Sequence, residues 1–432
     1  MDIRFDHAAI LTVDGEEREL SDATLCVKDG RIAYIGGAEG APQDFAPGRT
    51  IDARGNLLMP GFVNAHTHLP MTLFRGYAND LNLQDWLFGN IIPLEDKLTA
   101  EDVYLGAMVG AAEMLLSGTT CFLDMYDFAD TIAAAVEKSG LRAVLCQGMA
   151  GDGGNMQKIA KAKEICQRFQ GAAGGRITTM ISPHAEYTCS EEFLLACRDA
   201  AQELGVGIHV HASETAKEVR ECMERHDGLS PVRYFDKLGL ITDKTVLAHC
   251  VAIDSGDLET LAARGAHVAH NPGSNMKLAS GFAPVPALLR GGVNVALGTD
   301  GASSNNNLDM WEEMALCALM HKGFSGDPKA IPAKKALRMA TIDGARALGL
   351  EDETGSLEVG KKADLILVDT QGPRYYPRGE MVNHIVYAGH AADVKMTMVE
   401  GHILMEDGHI PHVDMPALLE AFNQAALALR AR

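Results

Sequence analysis

Apolar residues in the middle of the chain fall in short runs, near 58–66, 119–124, 141–147, 177–184, 206–212, 245–250, 266–270 and 293–299. Each run is strand-like, and most of the segments between them change to a helical pattern. Thr99-Ala100-Glu101-Asp102 reads as a capping box, opening a helix that ends near Gly118. Ser190-Glu191-Glu192 opens another, closed by Gly205. Eight strand–helix units predict a (β/α)8 TIM barrel, with its chemistry at the C-terminal ends of the strands. A doubly wound open sheet is the competing arrangement, but no G-x-G-x-x-G opens a helix here.

Both ends of the chain have a different texture. Thr24–Val27 and Arg31–Ile35 flank Lys28-Asp29-Gly30, a turn signal. Ala363–Val368, Met381–Tyr387 and Val394–Val399 are strand-like, and Glu406-Asp407-Gly408 is a second turn. The first long helix outside the middle is expected at Pro416–Arg432. The expected organisation is therefore one small β-sandwich from residues 1–58 and 356–432, around a barrel of residues 59–355.

Composition narrows the function. Of 432 residues, 38 are Lys or Arg and 58 are Asp or Glu, a formal net charge of −20. That charge argues against nucleic acid as a partner and against docking on an anionic membrane. No run of about 18 apolar residues suggests a transmembrane helix. The opening MDIRFDHAAILTVDG carries charges where a signal peptide needs an apolar core, so a cytoplasmic location is expected. Nine cysteines without a C-x-x-C pair read as buried thiols, not as a disulfide framework or a thiolate zinc site.

The candidate chemistry lies where the barrel strands end. The first run closes on His66-Thr67-His68, and the period of two along a strand turns both imidazoles the same way. The fifth run reads His209-Val210-His211-Ala212-Ser213-Glu214, the sixth ends at His249, and the eighth at Asp300. Three or four imidazoles with one carboxylate suit a borderline divalent ion such as Zn²⁺, with one position open for water. Water on such an ion loses a proton near neutral pH. Each histidine taken alone is adequately explained as a satisfied core residue. That explanation serves for His209, one layer deeper, and for His226, His267 and His321. It does not serve for five polar groups all falling at strand ends.

The segments P-G-F-V-N-A-H-T-H, H-A-S-E-T, H-N-P-G-S-N-M-K-L, G-T-D-G-A-S-S-N-N and G-S-L-E-V-G-K-K-A-D-L-I occur in that order. Over nearly the whole chain the sequence resembles the amidohydrolase superfamily, most of all its 5-methylthioadenosine/S-adenosylhomocysteine deaminase group. The stretch from Trp86 to Glu95 and Ser182-Pro183-His184 narrow the resemblance to that group. The resemblance implies a metal held by His66, His68, His211 and Asp300, with Glu214 and His249 as the catalytic pair. Asp300 serves also as general base. Glu95 and His184 are expected on the ribose side of the substrate, and Trp86 as a pocket wall. No lysine lies between Arg176 and Cys189, where binuclear relatives carry a carbamylated lysine, so one divalent ion per chain is expected. Zinc is the expected ion, with Fe²⁺ and Mn²⁺ as alternatives.

The implied reaction is hydrolytic deamination of an adenosine-type nucleoside at C6, with Glu214 carrying a proton to ring N1. Members that bind S-adenosylhomocysteine carry arginines on and after the third barrel strand, where Gln147 and Asn155 stand here. That departure shifts the expectation toward neutral 5′ groups, as in 5′-methylthioadenosine, 5′-deoxyadenosine or adenosine. Arg75 is the one nearby residue expected to be able to substitute. The alternative within the superfamily is a guanine or other heterocycle deaminase, or a triazine chlorohydrolase. A non-catalytic scaffold is disfavoured, because all four ligand positions, Glu214 and His249 are kept. A small-molecule substrate and a homo-oligomer complete the expectation.

Overall fold

The computed structural model describes residues 2–432. Its middle is a sheet of eight parallel strands, in sequence order across the sheet: Phe62–Thr67, Thr119–Tyr126, Arg142–Met149, Ile177–Pro183, Gly207–Ala212, Thr245–His249, His267–His270 and Asn294–Leu297. Every neighbouring pair is parallel. Parallel neighbours need crossovers, and the helices between the strands supply them. The last strand meets the first through a polar seam. Asn64 Nδ2 donates to Thr299 Oγ1 at 2.7 Å, and the Thr299 N–H returns a bond to Asn64 Oδ1 at 3.0 Å. Beside them the Asp300 N–H donates to the His66 carbonyl at 3.0 Å. The expected TIM barrel is thus observed, with all eight strands where the apolar runs fall.

Helix ends follow the expected signals. Thr99 Oγ1 accepts from the Asp102 N–H, and an Asp102 carboxylate oxygen accepts from the Thr99 N–H, capping the helix Ala100–Ser117. That helix stops at Gly118, whose φ of 88° lies in the left-handed region that glycine adopts without strain. Ser190 caps Glu191–Leu204, and Gly205 ends it.

Both chain ends contribute to a second sheet. Strands Ile3–Leu11, Glu19–Lys28, Arg31–Gly37, Arg49–Asp52 and Leu57–Pro60 join Leu365–Val368, Val394–Val399 and His402–Glu406. The two ends meet where Leu57–Pro60 pairs antiparallel with Leu365–Val368. This sheet encloses its own core, including Phe5, Ile10, Leu25, Leu365 and Met398, and is the small β-sandwich expected from the sequence. The segment Met381–Ala388 is a correction: it is a helix, not a strand. Its buried residues Met381, Val382, Ile385 and Val386 are spaced for one helical face. The polar pair Asn383-His384 between the apolar pairs fits that helical face and not the period of two of a strand. Among the described residues, no helix is long and apolar enough to cross a membrane. All nine cysteines are buried and free.

Candidate active site

His66 comes from the first barrel strand, with His68 just past its end. His209 and His211 lie on the fifth strand, with Glu214 beyond it. His249 closes the sixth, and Asp300 follows the eighth. A Cβ on Gly298 would lie 2.8 Å from the His66 backbone nitrogen and 2.5 Å from Asn271 Oδ1, so glycine is what lets the eighth strand's end lie against the first. His249 and Asp300 hold φ of 75° and 58°, a region side-chain-bearing residues seldom occupy. Such backbone persists where surrounding contacts over-determine it, and it clusters at functional sites.

The hydrogen bonds around the imidazoles set their tautomers. His209 Nδ1–H donates to the Val246 carbonyl at 3.0 Å, which leaves His209 Nε2 as an acceptor. His66 Nδ1–H donates to that nitrogen at 2.8 Å. His68 Nδ1–H donates to the Met125 carbonyl at 2.5 Å, His211 Nδ1–H to the His184 carbonyl at 2.9 Å, and His249 Nδ1–H to Asn275 Oδ1 at 2.8 Å. Each ring therefore keeps Nε2 for another partner. His66 Nε2 is buried and makes no hydrogen bond. Ser274 and Ser304 donate to Asp300 Oδ2 at 2.7 and 2.8 Å. The other oxygen, Oδ1, lies 3.2 Å from both His66 Nε2 and His68 Nε2.

This donor set fits a divalent metal ion. Ligand atoms of His66, His211, His249 and Asp300 all lie within 4.8 Å of one another, and His68 adjoins them through Asp300. A metal-binding histidine typically donates its remaining N–H to a carbonyl or carboxylate, the arrangement found here. The orphaned His66 Nε2 is the atom a cation would satisfy. Burial, opposed by Asp300, brings His66 down to about 4, so it stays neutral as a ligand must. Burial would lower His68 too, but Asp300 outweighs it and raises the group to about 9, so His68 would give up a proton on binding a cation. Burial would raise Asp300, and its two imidazole neighbours hold it well below the usual carboxylate range.

Glu214 sits beside this cluster. Its Oε2 is 3.9 Å from His249 Nε2, and its Oε1 accepts from Ser280 Oγ at 3.2 Å. Burial pushes its carboxyl pKa up. The loop carrying it is clamped by the Glu218 carboxylate, which accepts from the Ser213 and Glu214 N–H groups at 2.9 and 2.7 Å. Above the cluster lies a cavity of about 400 Å³, lined in part by Trp86, Glu95, His184, His211, Glu214 and Asp300. Burial also raises Glu95. Thr188 Oγ1 donates to the Ala185 carbonyl at 3.2 Å and accepts from His184 Nδ1–H at 2.9 Å.

The structure thus brings His68, Trp86, Glu95, His184, His211, Glu214, His249 and Asp300 to one cavity, with His66 against Asp300. It corrects Arg75, which pairs with Glu113, donates to the Asn306 carbonyl at 3.0 Å, and does not line the cavity. Gln147 and Asn155 do not line it either. Gln147 donates to Asp127, and Asn155 Oδ1 accepts from the Asp152 N–H. His226 pairs with Glu186 and His267 bonds the Asp243 carbonyl, as core histidines do. His209 differs, because it holds His66. Sequence reasoning missed Ser274, Asn275, Ser304 and Glu218, the residues that orient the cluster. Ser274 and Asn275 stand inside the H-N-P-G-S-N-M-K-L segment, so a signal was present.

The model of the amidohydrolase family matches residues 57–404. A 5-methylthioadenosine/S-adenosylhomocysteine deaminase of Pelotomaculum thermopropionicum is 46% identical, over 98% of this chain and 97% of its own. A 5′-deoxyadenosine deaminase of Methanosarcina barkeri is 46% identical over 100% and 99%. The crystal structure of a zinc-bound adenosine deaminase from Xanthomonas campestris superposes with a TM-score of 0.95 at 35% identity, covering 100% of this chain and 99% of that one. With these likenesses spanning both sheets and every strand end that carries the cluster, the chain belongs to the amidohydrolase family.

Proposed function

We propose that the protein is a metal-dependent aminohydrolase that deaminates adenosine-type nucleosides at C6, releasing ammonia and the inosine analogue. The observation that carries this reading is the set of bare Nε2 atoms and one carboxylate converging beside a buried glutamate at the floor of a nucleoside-sized cavity. His66, His68, His211 and Asp300 are the proposed ligands of one divalent ion per chain, with zinc the favoured ion. Such an ion supplies Lewis acidity and lowers the pKa of water to near neutrality.

The chain's own groups do the rest. Asp300 accepts a proton from the attacking water. Glu214, its carboxyl pKa raised by burial, delivers a proton to ring N1 and makes C6 more electrophilic. His249, fixed by Asn275, polarises the attacking oxygen. Glu95 and His184 bind the ribose hydroxyls, and Trp86 walls the base. Ribose contacts favour a nucleoside over a free base or a triazine. The relatives named for 5′-deoxyadenosine and for 5-methylthioadenosine/S-adenosylhomocysteine support the adenosine-type class, and the absence of an arginine from the cavity lining among the described residues favours neutral 5′ groups within it.

An ammonia-release screen over 5′-methylthioadenosine, 5′-deoxyadenosine, adenosine, S-adenosylhomocysteine, guanine and a chlorinated triazine tests the reading, alongside elemental analysis. One divalent ion per chain and fastest turnover of a neutral nucleoside are expected. Guanine or triazine turnover alone, or two ions per chain, would sink it.

A further inference from the structure

The cavity reaches from the metal-ligand cluster to the loops after the second and third barrel strands, where Asp127, Phe128, Ala150 and Lys158 line it. Lys158 is the only lysine or arginine lining it among the described residues. It stands in the first turn of the helix Gln157–Phe169. Its Nζ donates to the Ala150 carbonyl at 2.7 Å, so the ammonium is anchored at the rim with two N–H donors still free. The carboxylates of Glu95, Asp96 and Asp127 line the same side of the cavity, and Lys161, outside the lining, pairs with Asp127 at 3.4 Å. Arg75 is turned away toward Glu113, and Gln147 is engaged with Asp127.

An anionic 5′ substituent therefore has one lining cation to meet, because Lys161 is engaged with Asp127. We propose that Lys158 is the specificity-determining residue for the 5′ group, pairing with the carboxylate of an amino-acid-bearing substituent such as that of S-adenosylhomocysteine. Asp96 and Asp127 make the same region favourable for the substituent's ammonium. A lysine on an exposed stem offers a point charge, where an arginine offers a planar fork. The pairing thus admits the carboxylate without making it the preferred ligand. This assignment rests on the adenosine-type reading above.

The test compares kcat/KM for S-adenosylhomocysteine with that for its decarboxylated analogue, which keeps the thioether and the amine. Lys158→Met should lower the value for S-adenosylhomocysteine at least about tenfold, the loss of one charged contact. The same variant should raise the value for the decarboxylated analogue, because a like charge is removed. Lys158→Arg should retain S-adenosylhomocysteine. Lys163→Met, on the same helix but paired with Glu203 at 2.6 Å and outside the cavity lining, should leave the ratio of the two substrates unchanged. A merely structural role for Lys158 moves both substrates the same way, and that outcome overturns the assignment. So does a ratio that Lys158→Met does not shift, or a parent enzyme that deaminates 5′-methylthioadenosine but not S-adenosylhomocysteine. Failure to deaminate any nucleoside overturns the functional reading itself and this assignment with it.

Discussion

Glu214, lining the cavity, and His209, buried behind His66, have neighbours that define what their loss should do. Glu214 touches His249 and Ser280. Glu214→Gln keeps the side chain's size and its hydrogen-bonding capacity but cannot shuttle a proton. Turnover should fall by about 10²–10⁴-fold, the usual worth of a general acid–base step, while elemental analysis finds the metal retained. Near-normal kcat would remove Glu214 from proton transfer, and loss of metal would make it a ligand. His209 carries no proposed chemical step, yet its Nε2 is the acceptor that orients His66. His209→Leu leaves the His66 Nδ1–H unpartnered, and metal affinity should drop by about 10–100-fold in a chelator competition. An unchanged affinity would show that His66 is oriented without it.

At the scale of elements, the helix Ala100–Ser117 shows how a short local signal becomes tied to distant structure. Thr99 and Asp102 satisfy each other's backbone N–H groups at its start. Asp102 also pairs with Arg432 at 2.6 Å, which fastens the end of the helix Met415–Ala431 to the barrel. Thr99→Ala removes one capping acceptor and should destabilise the protein by about 0.5–2 kcal/mol in urea unfolding. No change would mean that Asp102 and Arg432 hold the terminus alone. The helix Met381–Ala388 makes the opposite point. Its apolar residues at 381, 382, 385 and 386 have helical spacing, but one turn of pattern is short, and burial of that face fixes the helix.

Across the whole molecule, the barrel and the terminal sheet share a buried ion pair. Arg142, at the start of the third barrel strand, donates to both oxygens of Asp364 at 2.7 and 3.3 Å. Asp364 also accepts from the Glu400 N–H at 2.7 Å, so one carboxylate links three distant segments. Arg142→Met strands that carboxylate without its cation, and breaking a buried pair from one side costs about 3–5 kcal/mol. Denaturation of this variant should begin well below that of the parent, and Arg142→Met with Asp364→Asn should recover part of the loss. A parent-like midpoint for the single variant would show that the pair contributes nothing across the join.

The amino-acid sequence alone determined the count and order of barrel strands, the helix caps and the placement of ligand-type residues at strand ends. Each depends on a few neighbouring residues: an apolar run, a capping side chain, a period of two. What the tertiary structure decided is which side chains meet. Asn64 and Thr299, 235 positions apart, close the barrel and bring Asp300 beside His66. His209 reads along the chain as a core residue and becomes the support of His66 only when the first and fifth strands face each other. Arg75 reads as available for a substrate carboxylate until Glu113 on a neighbouring helix claims it, and Lys158 carries no motif at all until the third strand's loop sets it on the rim. Local propensity is written in adjacent residues. The partner of a charged or hydrogen-bonding side chain depends on distances that only the folded chain creates.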